Sequence, residues 1–199
     1  MGTLSPSPLL TPELETKILQ RVLLPTVKGM AAEGREFVGV LFAGLMIVKG
    51  EPYLLEYNTR FGDPETQVVL SRLQSDVLDI FEAALFGNLD QVSLSWDSRS
   101  AVCVVMVAGG YPGSYEKGKL IEGLEKVSEQ CLVYHAGTEK TVRGLATNGG
   151  RVLGVTALGV TLAEARKNVY TQVKKISWQD CYYRNDIGLL AERAARGEK

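Results

Sequence analysis

Apolar and polar positions near the start of the chain repeat at helical spacing and predict a helix. Its start is the run 11–13 (Thr-Pro-Glu), because threonine caps a helix, proline fits the first turn and an acid favours the N-terminal end. The apolar positions that mark its buried face are Leu14, Ile18, Val22 and Leu23. We expect Pro25 to bend or break this helix and Gly34 to lie just past its end.

The next apolar segments predict a β-hairpin and two further helices, since alternating runs bounded by Gly and Pro are typical of paired strands. The predicted elements are strands at 37–48 and 53–58, a turn at 49–52, a helix at 64–73 and a helix from 76 to 85. Asp76 should cap the second of these helices and Gly87 should end it.

A polar stretch at 88–98 separates these elements from a second pattern. The run 101–108 is continuously apolar, which is typical of a strand buried on both faces. Further predicted elements are strands at 121–124, 131–135 and 151–158, a helix at 161–176 and a frayed, charged tail at 192–199. We therefore predict an α+β protein with domains at 1–87 and 98–199, the second of them small and mixed.

The helix at 161–176 has a recognisable start and two distinct faces. Thr161 and Glu164 form a capping box, in which each side chain reaches a backbone N–H of the first turn. Ala163, Val169 and Val173 are expected to face the sheet. The basic residues expected on its solvated face are Arg166, Lys167, Lys174 and Lys175.

Composition narrows the class of protein. Lys plus Arg number 22 and Asp plus Glu 23, so the net charge of −1 gives no footprint for nucleic acid or acidic membranes. The three cysteines, Cys103, Cys131 and Cys181, are widely spaced, which indicates neither a disulfide framework nor a zinc site. No apolar stretch of about 18 residues or signal-peptide pattern occurs, so the cytoplasm is the expected compartment.

Polar side chains follow the second predicted hairpin strand at every other position. Because side chains alternate in a strand, Glu56, Asn58 and Arg60 should share one face. A carboxylate and an amide oxygen are ligands that Mg²⁺ takes beside nucleotide phosphates, and a guanidinium pairs with phosphate oxygens. The alternative is a polar strand end that simply faces solvent.

The residues that follow could place an anion near this face. Asp63 is a favourable N-cap and Pro64 a favourable first helical residue, so capping is the expected main role of Asp63. Gly62 allows close approach of a ligand to the backbone. The free N–H groups of a helix start beside Arg60 would suit an anion.

Six ordered sequence blocks resemble phosphoribosylamine–glycine ligase, an ATP-grasp family. The blocks are Leu-Pro-Thr-Val-Lys-Gly-Met at 24–30, Phe-Ala-Gly-Leu-Met at 42–46, Arg-Phe-Gly-Asp-Pro-Glu at 60–65, Gly-Gly-Tyr-Pro-Gly at 109–113, His-Ala-Gly-Thr at 135–138 and Thr-Asn-Gly-Gly-Arg-Val-Leu at 147–153. Together they span the chain from about Met1 to Gly188. The resemblance implies the C-terminal part of an ATP-grasp domain at 1–87, followed by the family's C-terminal domain.

The resemblance also implies a reaction. Members use ATP to join glycine to 5-phosphoribosylamine by way of glycyl phosphate, giving glycinamide ribonucleotide, ADP and phosphate in purine synthesis. ATP and Mg²⁺ (or Mn²⁺) are then the implied cofactors, with Glu56 and Asn58 as metal ligands. Arg60 and Asp63 would be catalytic, and Arg60, Gly62, Asp63 and His135 would bind substrate.

The chain is about half as long as family members and lacks their front half, so we expect the isolated chain to be inactive. It could be a non-catalytic fragment, or a split subunit whose front half is a separate chain, of this or another ATP-grasp ligase or carboxylase. Uncovered apolar surface would then be expected in the 1–84 region, above all around 37–48.

His135 and the glycine-rich loop at 109–113 could each have a structural role instead of a functional one. His135 is the sole histidine, and a lone histidine is more often a hydrogen-bonded structural residue than a catalyst. The glycines at 109–113 could cradle a phosphate, but a tight turn is slightly favoured.

Overall fold

The computed structural model describes residues 1–197, and these form two compact units. One unit contains Met1–Ser7, Pro64–Arg72 and the chain from Ser98 onward; the other contains Pro8–Asp63 and Leu73–Asp97. The strands are β1 (Gly2–Ser5), β2 (Phe42–Val48), β3 (Glu51–Asn58), β4 (Ser100–Val107), β5 (Cys131–His135), β6 (Thr138–Thr141), β7 (Gly144–Thr147) and β8 (Arg151–Gly159). The α-helices are α1 (Pro12–Ile18), α2 (Leu24–Ala32), α3 (Glu65–Val69), α4 (Val77–Leu85), α5 (Leu162–Val173) and α6 (Leu189–Ala195). This mixture confirms the α+β class, while the domain limits 1–87 and 98–199 stay a prediction.

A four-stranded antiparallel sheet forms the centre of the first unit, in the order β1-β4-β8-β5. Strand β4 is buried on both faces, as its continuous apolar run predicts. Val102, Val104 and Met106 lie in the large core cluster with α5, whereas Ala101 and Cys103 pack with Val68 of α3. The main core of the protein therefore lies around β4 and β8.

Helix α5 confirms the predicted start and corrects its buried face. Thr161 Oγ1 accepts a hydrogen bond from the Glu164 N–H at 3.2 Å, and Glu164 Oε2 accepts one from the Val160 N–H at 2.8 Å. Ala165, Val169 and Val173 are fully buried, at a spacing of four. Ala163 is exposed, because a residue two positions before Ala165 lies on nearly the opposite side of the helix. The helix ends at Val173, short of the predicted 176.

The predicted frayed tail was wrong for the residues described. Helix α6 spans Leu189–Ala195, and its Glu192 is buried in an ion pair with Arg166 of α5. Glu192 also accepts a hydrogen bond from Arg196 at 2.8 Å. Arg166 is accordingly not part of a solvated face, since a buried carboxylate requires a paired charge. Residues 198 and 199 of the predicted tail lie outside the described residues.

Several short strands depart from the sequence prediction. The segment at 121–124 forms no strand: Glu122 makes an isolated bridge to Ser177, and Leu120, just before the segment, makes one to Ala146. Strands β1, β6 and β7 were not predicted, because each has only four residues. A run of that length shows too few alternations to separate a strand from a loop.

In the second unit, helical backbone runs from Pro12 to Ala32. Thr11 Oγ1 accepts the Leu14 N–H at 3.2 Å, which confirms the predicted cap. Pro25 does not break the helix, because the preceding turn Leu19–Leu23 is π-helical and Pro25 lies in the first turn of α2; the predicted bend stays a prediction. Gly34 lies just past the end with a φ of +71°, as predicted.

Strands β2 and β3 form an antiparallel hairpin around a tight turn at Lys49 and Gly50. These residues have φ angles of +52° and +78°, which suit a two-residue hairpin turn. Strand β2 begins at Phe42 instead of 37, since the five residues before it form no ladder. Its register shifts between Gly44 and Leu45, so β3 carries one extra residue, Leu55, as a β-bulge.

The helix predicted at 64–73 is reduced to the five residues of α3. Its N-cap is Pro64, and no side chain caps it, so the predicted capping by Asp63 was wrong. Helix α4 behaves as predicted: Asp76 accepts the Leu78 N–H at 2.8 Å, and Gly87, with a φ of +73°, follows the helix end. Among the helices of residues 1–197, none is long and apolar enough to cross a membrane.

Candidate functional site

Glu56 and Asn58 meet at the open end of the hairpin. Asn58 Nδ2 donates a hydrogen bond to Glu56 Oε1 at 3.1 Å, so the two side chains share a face as predicted. Glu56 is exposed and Asn58 is half-buried. A carboxylate and a carboxamide are therefore held side by side where a ligand can reach them.

Gly44 faces this pair from the opposite strand. It is the cross-strand partner of Glu56, and a Cβ at position 44 would lie 3.0 Å from Glu56 Cγ and 3.7 Å from Oε1. A side chain there would crowd the carboxylate. The bulge at Leu55 comes immediately before Glu56, and bulges commonly re-aim side chains beside functional sites.

Sequence reasoning did not identify Gly44 or Leu55 as part of this site. A signal for Gly44 was present, because a glycine inside an apolar strand often marks a bulge or a close approach. No comparable signal marks Leu55. It lies in a run of apolar residues, so the sequence pattern is compatible with pairing either with or without an extra residue at this position.

Arg60 lies beyond the strand end and is not brought into hydrogen bonding with this pair. Strand β3 ends at Asn58, so the alternation that was expected to align Arg60 with Glu56 does not continue to it. Its Nη1 donates to the Phe61 carbonyl at 2.9 Å, and the residue is exposed. The expected three-residue face is thus a two-residue face with a guanidinium further along the chain.

The other side of β3 fixes the strand against the helical segment. Tyr57 points away from Glu56, as expected: its hydroxyl hydrogen-bonds the Thr26 hydroxyl and donates to the Val22 carbonyl at 3.3 Å. At the turn, Glu51 pairs with Lys17 and Arg21, both at 2.5 Å. The hydrogen bond from Lys17, and after it the one from Arg21, holds the pKa of the Glu51 carboxyl below its usual value.

The remaining predicted site residues lie in two places. Gly62 is buried and Asp63 is exposed, four and five residues past the strand end. His135 ends β5 in the first unit, and its Nδ1 is 3.2 Å from Thr138 Oγ1. That contact within the His-Ala-Gly-Thr block matches the structural alternative, while a substrate role for His135 stays a prediction.

The glycine loop after β4 is a tight turn. Tyr111 N–H donates to the Ala108 carbonyl at 3.1 Å, and Gly113 N–H to the Gly110 carbonyl at 2.8 Å. Gly110 has a φ of +93°, and a Cβ there would lie 2.2 Å from the Ser114 carbonyl oxygen. These contacts alone require glycine at position 110.

The pair Glu56–Asn58 fits a divalent cation in part. In residues 1–197 there is no cluster of three or more His, Cys, Asp or Glu side chains able to hold a metal. One carboxylate and one amide oxygen still suit Mg²⁺, which usually takes few protein ligands beside phosphates and water. The Asn58 amide now presents its nitrogen to Glu56, so it must turn for its oxygen to join the carboxylate.

The fold belongs to the ATP-grasp class. The chain resembles the Kluyveromyces lactis urea carboxylase structure, with a TM-score of 0.64 over 98% of this chain and 16% of that one. The two sequences are only 12% identical, so this likeness concerns the fold alone. Residues 1–66 match the profile "Phosphoribosylglycinamide synthetase, ATP-grasp (A) domain", and 101–190 match "Phosphoribosylglycinamide synthetase, C domain". The chain belongs to the phosphoribosylglycinamide synthetase family.

Relatives named phosphoribosylamine–glycine ligase cover nearly all of this chain. The Vibrio vulnificus protein is 49% identical over 193 residues, which are 96% of this chain and 45% of the relative. The chloroplastic Arabidopsis thaliana protein is 52% identical over 97% of this chain and 37% of its own. The Thermotoga maritima structure has a TM-score of 0.82 at 35% identity, over 94% of this chain and 46% of that one. The chain thus spans under half the length of these relatives.

Proposed function

We propose that this chain forms part of an ATP-dependent ligase that joins glycine to 5-phosphoribosylamine, giving glycinamide ribonucleotide, ADP and phosphate. The observation that carries the proposal is the Glu56–Asn58 pair at 3.1 Å, opposite Gly44 on an open hairpin end. It is supported by the relatives named phosphoribosylamine–glycine ligase, which are 49% and 52% identical to this chain.

Glu56 and Asn58 hold Mg²⁺ or Mn²⁺ against the phosphates of ATP in this proposal. When bound, the cation neutralises charge on the phosphates, which is the chemistry that phosphoryl transfer needs. Glu56 contributes the anionic ligand, and Asn58 turns its amide oxygen toward the same point. Gly44 keeps the space beside the carboxylate open.

Arg60, Gly62 and Asp63 act on the substrates. A glycine carboxylate resists attack by an amine until one of its oxygens becomes part of a phosphate leaving group. Arg60 exchanges its bond to the Phe61 carbonyl for phosphoryl or acyl-phosphate oxygens, where its fixed charge offsets the charge that develops. Gly62 lets the substrate approach the backbone, Asp63 orients the amine, and His135 contributes to substrate binding.

The test uses a chimera in which this chain replaces the matching part of the Thermotoga maritima relative. Glu56→Gln keeps the shape of the side chain but removes the charge. We expect ADP release dependent on glycine and phosphoribosylamine to fall at least tenfold at limiting Mg²⁺ and to recover partly at high Mg²⁺. Stability should change by about 0.5 kcal/mol or less, because the residue is exposed.

Glu139→Gln is the matched control, since Glu139 is an exposed carboxylate on β6. Equal activity of the Glu56 and Glu139 variants would show that the hairpin face does not bind the cation. ADP release that depends on bicarbonate in place of glycine would support the carboxylase alternative.

A further part of the proposal concerns what covers the second unit. Large apolar side chains there are exposed on the hairpin and on and after α4: Met46, Ile47, Val48, Tyr53, Leu54, Leu55, Leu78, Leu85 and Phe86. Exposed apolar surface on this scale marks an interface. Polypeptide equivalent to the unmatched front half of the relatives, in the same chain or a separate one, packs against it.

A further inference from the structure

A cleft of about 400 Å³ lies in the first unit, and none of the residues that line it is assigned above to the ligase site. It is bounded by one face of α5, the end of β8, the start of β5 with the loop before it, and Arg99 just ahead of β4. A volume of this size is typical of sites for small metabolites.

The side chain of Gln172 is fixed with its nitrogen left to donate. Its Oε1 accepts the Ser128 N–H at 3.0 Å and the Lys175 ammonium at 2.8 Å. Two donors occupy the carbonyl oxygen, which sets the orientation of the amide and leaves both N–H groups of Nε2 for another acceptor. Gln172 lines the cleft, so a ligand there meets a positioned donor.

Neighbouring groups add further donors around the same space. Asn168 Nδ2 donates one N–H to the Leu158 carbonyl at 2.9 Å, and its second N–H can be donated to a ligand. Ser128 accepts the Gln130 N–H at its Oγ, at 3.3 Å, so its hydroxyl proton can be donated. Arg99 brings a guanidinium, whose planar N–H groups match phosphate or carboxylate oxygens.

Among the described residues that line the cleft, Arg99 is charged and none is Asp or Glu. Lys175, behind Gln172, adds a second positive charge and is held by the Lys126 carbonyl at 2.9 Å. A donor-rich, positively charged space without carboxylates favours anions over cations.

Cys131 also lines the cleft but is not poised as a nucleophile. Its thiol donates to the Thr156 carbonyl at 3.1 Å. Burial raises the pKa of Cys131 to about 11, so the sulfur stays protonated at neutral pH. The cleft is therefore suited to non-covalent binding.

We propose that this cleft, defined by Arg99, Ser128, Asn168 and Gln172, is a second ligand site that binds a small phosphorylated metabolite through its phosphate group. The Arg99 guanidinium and the Gln172 amide contact the phosphate oxygens, with Asn168 and Ser128 beside them. The site is independent of the ligase proposal and holds whether or not that proposal is correct.

Titration with inorganic phosphate at constant ionic strength tests the site by ¹⁵N NMR of the 199-residue protein. Saturable shifts are expected at the side-chain amides of Asn168 and Gln172 and at the Ser128 N–H. Gln172→Glu should weaken binding at least tenfold, because it adds a negative charge yet keeps an oxygen for Ser128 and Lys175. Arg99→Gln should weaken it similarly.

Lys167→Gln is the matched control, since it removes a positive charge from the exposed side of α5, the helix that carries Gln172. A loss in Lys167→Gln as large as in Arg99→Gln would show mere surface attraction and overturn the proposal, as would the absence of saturable shifts. The shifts should persist in Arg60→Gln, which separates this site from the hairpin. If an Arg99 or Gln172 variant unfolds, Ser128→Ala, which removes one hydroxyl, must still weaken binding.

Discussion

At the scale of single residues, burial decides which groups can do chemistry here. Glu56 is exposed beside Asn58, so its charge is available to a cation. Glu192 is buried between Arg166 and Arg196, so its charge is already neutralised inside the protein. The same residue type is a candidate ligand at one position and a structural link at the other.

The cysteines give a prediction for alkaline pH. Burial raises the pKa of both Cys131 and Cys181 to about 11, from an ordinary value near 9. The unfolded chain then ionises its thiols first, so the stability contributed by these groups is complete below pH 9 and is lost as pH rises from 9 through 11. Thermal melts should show this decline.

Cys131→Ala provides the check on that assignment. Because it removes one of the two shifted thiols, its melting temperature should fall less steeply over the same pH range. Alkylation of native Cys131, followed by mass spectrometry, should also keep accelerating above pH 10. A rate that levels off by about pH 10, as expected of a thiol with a pKa near 9, would contradict the raised pKa.

At the scale of elements, the hairpin is the part on which the site depends. The extra residue Leu55 interrupts the alternation of side chains along β3, between the end at the turn and the end that carries Glu56 and Asn58. A strand shifted by one residue presents its side chains on the opposite face. The bulge therefore determines which way the carboxylate points.

Inserting one alanine between Gly44 and Leu45 should abolish ligase activity of the chimera while leaving the hairpin paired. The inserted residue gives Leu55 a cross-strand partner and makes the β2–β3 ladder regular, which turns Glu56 and Asn58 to the other face relative to the Glu51 end. NMR contacts between the strands would report the pairing, and ADP release the activity. Leu55→Ala keeps the bulge and should retain most activity; full activity in the insertion variant would exclude a role for the bulge.

Sequence alone predicted the elements whose signals are local. The Thr11, Asp76 and Thr161 caps and the buried strand at 101–108 follow from neighbouring residues, and the structure confirms them. The turn predicted at 49–52 is present but narrower, because β3 already begins at Glu51. The pairing of Glu56 with Asn58 follows from alternation and is also confirmed. Alternation failed for Arg60, because where a strand ends depends on its ladder partner rather than on its own residues.

Other errors came from contacts between distant segments. Helix α6 was read as a tail because its charged residues look solvated until Arg166 is placed beside Glu192, 26 residues away. Strand β1 has no signal of its own and is recognisable only against β4. The helix is not broken at Pro25, because the turn before it is π-helical; a bend at this point stays a prediction.

At the scale of the whole molecule, the two units differ in how well they bury their apolar residues. Both core clusters lie in the unit built on the four-stranded sheet. The second unit buries Leu14 and Val22 among its large apolar residues and exposes many others. We expect it to be the less protected unit when the 199-residue chain is studied by itself.

Hydrogen exchange should show this difference and its reversal. In the 199-residue chain, amides of β2 and β3 should exchange faster than those of β4 and β8. Adding the front half of the Vibrio vulnificus relative should slow exchange in β2 and β3, since their edges and apolar faces would be covered. Unchanged exchange, with no complex on size-exclusion chromatography, would contradict the proposed packing.

The pairing of β1 with β4 has a consequence for how the protein folds. Gly2 lies opposite Val104, so the ladder closes a loop that contains the entire second unit. Closing so long a loop costs entropy before any contact is gained, and such distant pairings slow folding. During synthesis, β1 has no partner until β4 has left the ribosome. The edge strand of the sheet is made first and joins late.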